Sequence, residues 1–337
     1  MRPRSLTHAI NVHLDLGQPI FLWGAPGVGK SDLIANLAVR RKEELRDVRL
    51  NMMDPTDLKG LPFKSSHGVG KKARDVCAWL TPDFLPTEGK GILFLDELNS
   101  APPSVQAAGY QLILNRRLGD YFLPDGWNVV AAGNRAGDRA VVHAMPSPLA
   151  NRFVHLDFTI HNDDWHEWAD KHEINNIVTG FLRYRPALLH KYDPKENPRA
   201  FPTPRSWSFA SKLVGSDALS GEDFHEVLKG TVGEGAAVEF VAYMQVYRNL
   251  PTAAEIIKKP LEIPVPGSDK QAERYATVSM LNEHVDAKTI APIMQYVNRF
   301  PPEFQVCFMR TMLVRNVSLS ATASVRDWIA KNSSVLT

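Results

Sequence analysis

The 337-residue sequence predicts an α/β fold built on a parallel five-stranded sheet, followed by two helical regions. Three observations predict it. Residues 1–158 alternate short apolar runs with segments of helical periodicity. A glycine-rich loop separates the first run from the helical segment after it. Beyond about residue 160 the apolar runs cease and helical periodicity continues alone.

The first run, 19–23, reads as a short buried strand. Residues 30–45 read as a helix, with Leu33, Ile34, Leu37 and Ala38 on one face. Runs at 48–52, 92–95, 129–132 and 153–158 are dense and short, as expected of parallel strands buried on both faces. Residues 162–172, 177–189, 206–214 and 236–246 then read as helices. The Pro-rich stretch 259–266, followed by Gly267, breaks the pattern, and a further helical unit starts near Lys270. The domain reading is 1–158 for the α/β core, 159–250 for a helical domain and 251–337 for a C-terminal helical extension.

Composition narrows the function classes. A chain with 44% hydrophobic and 23% charged residues can build a substantial core. Its formal net charge of +2 gives no global argument for nucleic acid. Cys77 and Cys307 are far apart in sequence and form neither a disulfide framework nor a zinc site, as expected in a reducing cytosol. No apolar run approaches the roughly 20 residues of a membrane helix. Asn11, His13 and Asp15 interrupt any signal-peptide core, so a cytoplasmic location is expected. His166 and His172 are six apart, off a single helix face, so no metal is assigned to them; Trp165 and Trp168 read as packing residues.

The loop carries the most information. Gly24, Ala25, Pro26, Gly27, Val28, Gly29, Lys30 and Ser31 fit G-x-x-x-x-G-K-[ST] between a strand and a helix. Glycines let successive N–H groups converge on one anion, and the following helix adds its positive N-terminal end. Lys30 sets an ammonium against the outer phosphates, and the Ser31 hydroxyl can hold Mg²⁺. Asp32, in the next turn, is counted with this nucleotide-binding set. Downstream, residues 91–97 form an apolar strand ending in Asp96 and Glu97. A strand end beside the glycine loop is where such folds place ligand chemistry. Asp96 would hold Mg²⁺ with Ser31, and Glu97 would polarise an attacking water. Residues 128–134 end a strand in Gly133 and Asn134. The Asn134 amide can orient water or touch a terminal phosphate; as an isolated feature it is an ordinary turn residue.

The order of these elements, followed by Asn151-Arg152-Phe153 and Pro204-Arg205, resembles an AAA+ ATPase. It is most similar to the MoxR type, in the clade with an insert in its second helix. The stretch 95–106, with Asp96, Glu97, Asn99 and Gln106, and the segment 144–153 carry that likeness, which covers about residues 15–215. The resemblance implies an AAA+ core, a helical lid, ATP and Mg²⁺ as ligands, and a homo-oligomeric ring, usually hexameric. It implies that Arg152 is an arginine finger reaching a neighbouring subunit's ATP; capping its helix or pairing with Asp157 is the alternative. It implies that Arg205 is a second sensor facing phosphate; a surface arginine at a helix start is the alternative. The interval 55–86 lies where the clade carries its insert, and its basic, glycine-tipped part 64–74 is either a pore loop or a solvated hairpin. Residues 117–126 resemble a second hairpin, with Asp125-Gly126 as its turn signal. The expected function is an ATPase that remodels a partner protein, which in this type often carries a von Willebrand factor A domain. A nucleic-acid motor and a slow scaffold ring are the alternatives.

Overall fold

The computed structural model describes residues 1–67, 74–138, 143–193, 195, 199–216 and 218–332. They form two compact units, Met1–Ile160 and His161–Thr337. The first runs α1 (Pro3–Asp15), β1 (Ile20–Trp23), α2 (Lys30–Arg41), β2 (Glu44–Arg49), α3 (Pro55–Lys59), β3 (Leu61–His67), β4 (Arg74–Leu80) and β5 (Gly91–Asp96). It continues with α4 (Pro103–Asn115), β6 (Arg117–Leu118), β7 (Tyr121–Phe122), β8 (Trp127–Gly133), α5 (Ser147–Ala150) and β9 (Val154–Asp157). The five-stranded sheet has the order β2-β5-β8-β1-β9, all parallel.

Alternating residues of the central strands enter two cores. Phe21, Leu93, Leu95, Val129 and Ala131 pack on the α4 face with Val105, Ala108 and Leu112. Ile20, Leu22, Ile92, Phe94, Val130 and Ala132 pack on the other, against Leu6, Ile10 and Leu14 of α1 and Ile34 and Leu37 of α2. Strands apolar on both faces leave no alternation to read, which is why they appear as continuous runs. Fully burying each large aliphatic side chain stabilises the fold by roughly 1.5–3 kcal/mol.

The structure corrects the sequence at β2. The helix expected to reach residue 45 stops at Arg41, where Lys42 adopts a left-handed conformation at φ 55°. The strand expected at 48–52 is Glu44–Arg49, and Leu50–Met52 form a 3₁₀ turn. β2 lies at the sheet edge and carries Glu44, Arg46, Asp47 and Arg49, so apolar density is a poor guide to its limits. A second correction concerns the later hairpin. β6 and β7 turn at Gly119 (φ 60°) and Asp120, whereas Asp125-Gly126 leads into β8. In the insert, β3 and β4 pair antiparallel with Leu61 opposite Leu80, and Lys64 pairs with Asp75 at 2.7 Å. The glycine tip of the 64–74 loop lies outside the described residues.

The second unit comprises α6 (Asn162–Lys171), α7 (Asn176–Tyr184), α8 (Pro204–Val214), α9 (Gly221–Val232), α10 (Glu234–Arg248), α11 (Ala253–Lys258), α12 (Gln271–Glu283), α13 (Ile290–Val297), α14 (Pro302–Arg315) and α15 (Ala323–Lys331). Phe181 meets Trp207, Phe240 and Tyr243 at 5.1–5.5 Å between ring centres. Phe304, Phe308, Met309 and Met312 are buried, as their helical spacing implies. Asp170 holds two guanidinium groups, Arg183 at 3.4 Å and Arg315 at 3.2 Å. Trp165 is buried against the His166 ring, and Trp168 stacks on His172. No helix among the described residues is long and apolar enough to cross a membrane.

Inside this unit His166 is buried, and its Nδ1 has no hydrogen-bond partner among the described residues. Burial, and then the Arg183 guanidinium, hold its imidazole well below the ordinary 6.5. The unfolded chain therefore takes up a proton below pH 6.5 that the folded one refuses. The stability that follows is complete above that pH and declines, by at most about 1.4 kcal/mol per pH unit, as pH falls. His166→Phe is expected to narrow the difference between denaturation midpoints measured at about pH 7.5 and 5.5. An unchanged difference would show that His166 does not set it.

Candidate nucleotide site

The loop between β1 and α2 is shaped by its glycines. Gly27 and Gly29 take φ of 74° and 96°, which side-chain-bearing residues rarely adopt. Gly29 is the residue before α2, and it supplies no side-chain cap to that helix, whose positive N-terminal end suits an anion. Lys30 curls back over the loop. Its Nζ donates to the carbonyls of Gly24 (2.7 Å) and Ala25 (3.2 Å) and to Oδ1 of Asn134 (2.9 Å). The end of β8 is thereby joined to the start of α2 across 104 residues of sequence.

Ser31 Oγ donates to Oδ2 of Asp96 at 2.9 Å, and the Glu97 backbone N–H donates to Oδ1 of the same carboxylate, also at 2.9 Å. Asp96 is buried at the end of β5. A hydroxyl and a carboxylate are hard oxygen donors, a set that suits Mg²⁺. Glu97 adopts φ 55° and ψ 33°, a left-handed conformation costing a side-chain-bearing residue roughly 1–2 kcal/mol. The strain sits at the chain reversal out of the sheet. Of the carboxylates expected here, Asp96 meets Ser31, while Glu97 accepts from Nδ2 of Asn51.

Three polar groups beyond the expected set complete the arrangement. Asn51, one turn past β2, partners Glu97. Its role was hidden because the expected strand at 48–52 placed it inside the sheet. Asn99, buried, donates through Nδ2 to the Asn134 carbonyl at 2.8 Å. A methyl at Gly133 would lie 2.1 Å from Asn99 Oδ1, so only glycine permits this approach. Asp47 on β2 has a carboxyl pushed upward, first by burial and then by the charge of Asp96, with Arg49 acting in the opposite direction.

Arg152 is exposed in the turn between α5 and β9, and its side chain bonds to no described residue. The alternative partner, Asp157, is engaged elsewhere: its Oδ1 accepts from Nη2 of Arg135 at 2.7 Å and from Nε at 3.1 Å. Arg205 belongs to the second unit. It is exposed in the first turn of α8, whose start is sealed by a reciprocal pair: Thr203 Oγ1 accepts from the Ser206 N–H, and Ser206 Oγ accepts from the Thr203 N–H.

Residues 19–153 match the family model described as AAA domain (dynein-related subfamily). Over 175 residues the chain is 27% identical to midasin of Giardia intestinalis, an alignment covering 50% of this chain and 4% of that protein. Two structures of Thermotoga maritima RuvB are among those similar to it. One, titled as a Holliday junction branch migration motor, is 17% identical, covers 86% of this chain and 83% of that one, and has a TM-score of 0.37. The other, a mutant form, is 16% identical, covers 87% of each chain and has a TM-score of 0.40. The glycine loop, Lys30, Ser31, Asp96 and Glu97 all lie inside the stretch, residues 19–153, that matches this AAA domain model.

Proposed function

We propose that the protein hydrolyses Mg-ATP within a homo-oligomeric, hexameric ring and uses the cycle to remodel a partner protein, in the manner of the MoxR type it resembles. The observation that carries the hydrolytic part is the convergence of Lys30, Ser31, Asp96 and Asn134 through bonds of 2.9 Å, with Glu97 next in sequence. The loop N–H groups would receive the phosphates, and Lys30 would meet the outer ones. Ser31 and Asp96 would hold Mg²⁺, which neutralises charge on the phosphate oxygens when bound. Asn134, within reach of the Lys30 ammonium, would meet the terminal phosphate or its attacking water. Glu97 would polarise that water. Arg152 would complete a neighbour's site, and Arg205 would report phosphate to residues 159–250 acting as a lid, with 251–337 as an extension. The partner protein, of von Willebrand factor A type on the same resemblance, is part of the proposal, as is a cytoplasmic setting.

The test uses the full chain. Lys30→Ala is expected to weaken binding of a fluorescent ATP analogue strongly while the protein stays folded, because Lys30 is half-buried and its ammonium bonds the glycine loop and Asn134 rather than packing in either sheet core. Unchanged affinity in a folded variant would remove the glycine loop from the ATP site. Turnover is measured in parallel with and without DNA or RNA. No stimulation is expected; a several-fold rise together with binding that falls steeply with salt would replace the protein-remodelling reading with a nucleic-acid motor.

A further inference from the structure

β9 pairs with β1 so that Phe21 lies beside His155 and Trp23 beside Asp157. Trp23 is the last residue before the glycine loop, and Arg152 stands two residues before β9. Between them lies one imidazole with both nitrogens engaged. Trp23 Nε1 lies 2.9 Å from Nδ1 of His155, and an indole N–H only donates, so Nδ1 accepts. That leaves the proton on Nε2, which donates to the Ala150 carbonyl at 2.8 Å. Ala150 closes α5, and its carbonyl also accepts from the Phe153 N–H at 3.3 Å, which folds the turn holding Asn151 and Arg152. The rings of Trp23 and His155 lie 6.0 Å apart and nearly parallel, and Phe153 packs edge-on against Phe21 at 5.4 Å. The backbone on both sides of Arg152 is therefore pinned, and the pin is anchored to the strand that delivers the chain's own glycine loop.

We propose that His155 is a positioning residue for Arg152: by bridging the Trp23 indole and the Ala150 carbonyl it sets where the guanidinium is presented. The idea rests on the reading of Arg152 as a group given to a neighbouring subunit. It makes a directional prediction, because His155 serves the site that its chain completes and not the site that its chain owns. An effective reaction geometry is sensitive to displacements of about 1 Å, so loss of the bridge lowers turnover more than substrate affinity.

The experiment mixes two chains under conditions of subunit exchange. One carries Lys30→Ala, keeping the finger without a working loop; the other carries Arg152→Ala, keeping the loop without the finger. Placed on the Lys30→Ala chain, His155→Ala is expected to lower the kcat of the mixture by about five- to tenfold, with KM for ATP within about twofold. Placed on the Arg152→Ala chain, the same substitution leaves both within about twofold. His155→Gln, whose amide still reaches the Ala150 carbonyl, is expected to restore most of the loss. A general weakening of β9 would show equally in both placements, so equal losses, or no loss in either, overturn the positioning role alone. An inactive parent mixture with exchange confirmed overturns the shared-site reading and this proposal with it.

Discussion

Glu97→Gln is expected to bind ATP within a few-fold of wild type and to turn it over roughly 10²–10⁴-fold more slowly, the usual worth of a positioned general base. The substitution keeps the shape of the side chain and an oxygen able to accept from Asn51. The left-handed backbone at residue 97 is a property of the turn, so it too survives. Asp96 and Ser31 keep their 2.9 Å bond, and the proposed donors for Mg²⁺ remain. Only basicity is lost, so binding and chemistry separate. Equilibrium titration with a nucleotide analogue and steady-state ATPase measure the two. Turnover near wild type would mean that another group activates the water. The same variant, loaded with ATP, is the form in which a protein client would be retained, and a scaffold ring would keep its function despite the substitution.

Arg152→Ala is expected to leave ATP binding intact and to lower turnover by roughly 10³–10⁵-fold, the range for a guanidinium that neutralises the departing phosphoryl group. The structural case is that this exposed side chain has no bonded partner among the described residues, while Asp157 is taken by Arg135. Losing it removes no side-chain bond to a described residue, so the fold should be indifferent. Supplied from a neighbour, it makes the defect complementable: mixed with Lys30→Ala, which has a dead loop and an intact finger, the variant should regain activity. The gain is partial and depends on mixing ratio, because only an interface joining an Arg152→Ala loop to a Lys30→Ala finger is competent. Mixed activity no greater than the sum of the two variants, with exchange shown independently, would end the shared-site mechanism and leave the ATP assignment standing.

Much of the site was legible because its chemistry is local. Gly24 to Ser31 is a contiguous loop whose backbone angles, and whose proposed phosphate donors and metal ligand, come from eight consecutive residues. Asp96 and Glu97 follow an apolar run that reads as a strand, and the structure makes it the interior strand β5. The parallel sheet was legible because most of its strands are runs apolar on both faces, whereas the order β2-β5-β8-β1-β9 was not. The edge strand β2 was displaced in the reading because an edge exposes one side to water, and Glu44–Arg49 is accordingly charged. With β2 misplaced, Asn51 was lost as well, although it is the partner of Glu97. The hairpin turn was assigned to Asp125-Gly126 by its dipeptide, yet the chain reverses at Gly119, since β8 begins at Trp127 and claims the residues before it.

What the sequence by itself determined is the set of groups that local chain geometry can present: a phosphate loop, two carboxylates at a strand end, and a parallel α/β core followed by helices. What only the tertiary structure decided is which distant groups meet. Lys30 finds Asn134 across 104 residues, and Asn51 reaches Glu97. Arg135 takes Asp157, the alternative partner of Arg152, and a histidine on an edge strand fastens the turn carrying Arg152 to the strand before the loop. The physical reason is that a hydrogen bond requires donor and acceptor within about 3 Å. Spacing along the chain sets that separation only inside a turn or helix; across a sheet, strand order and register set it.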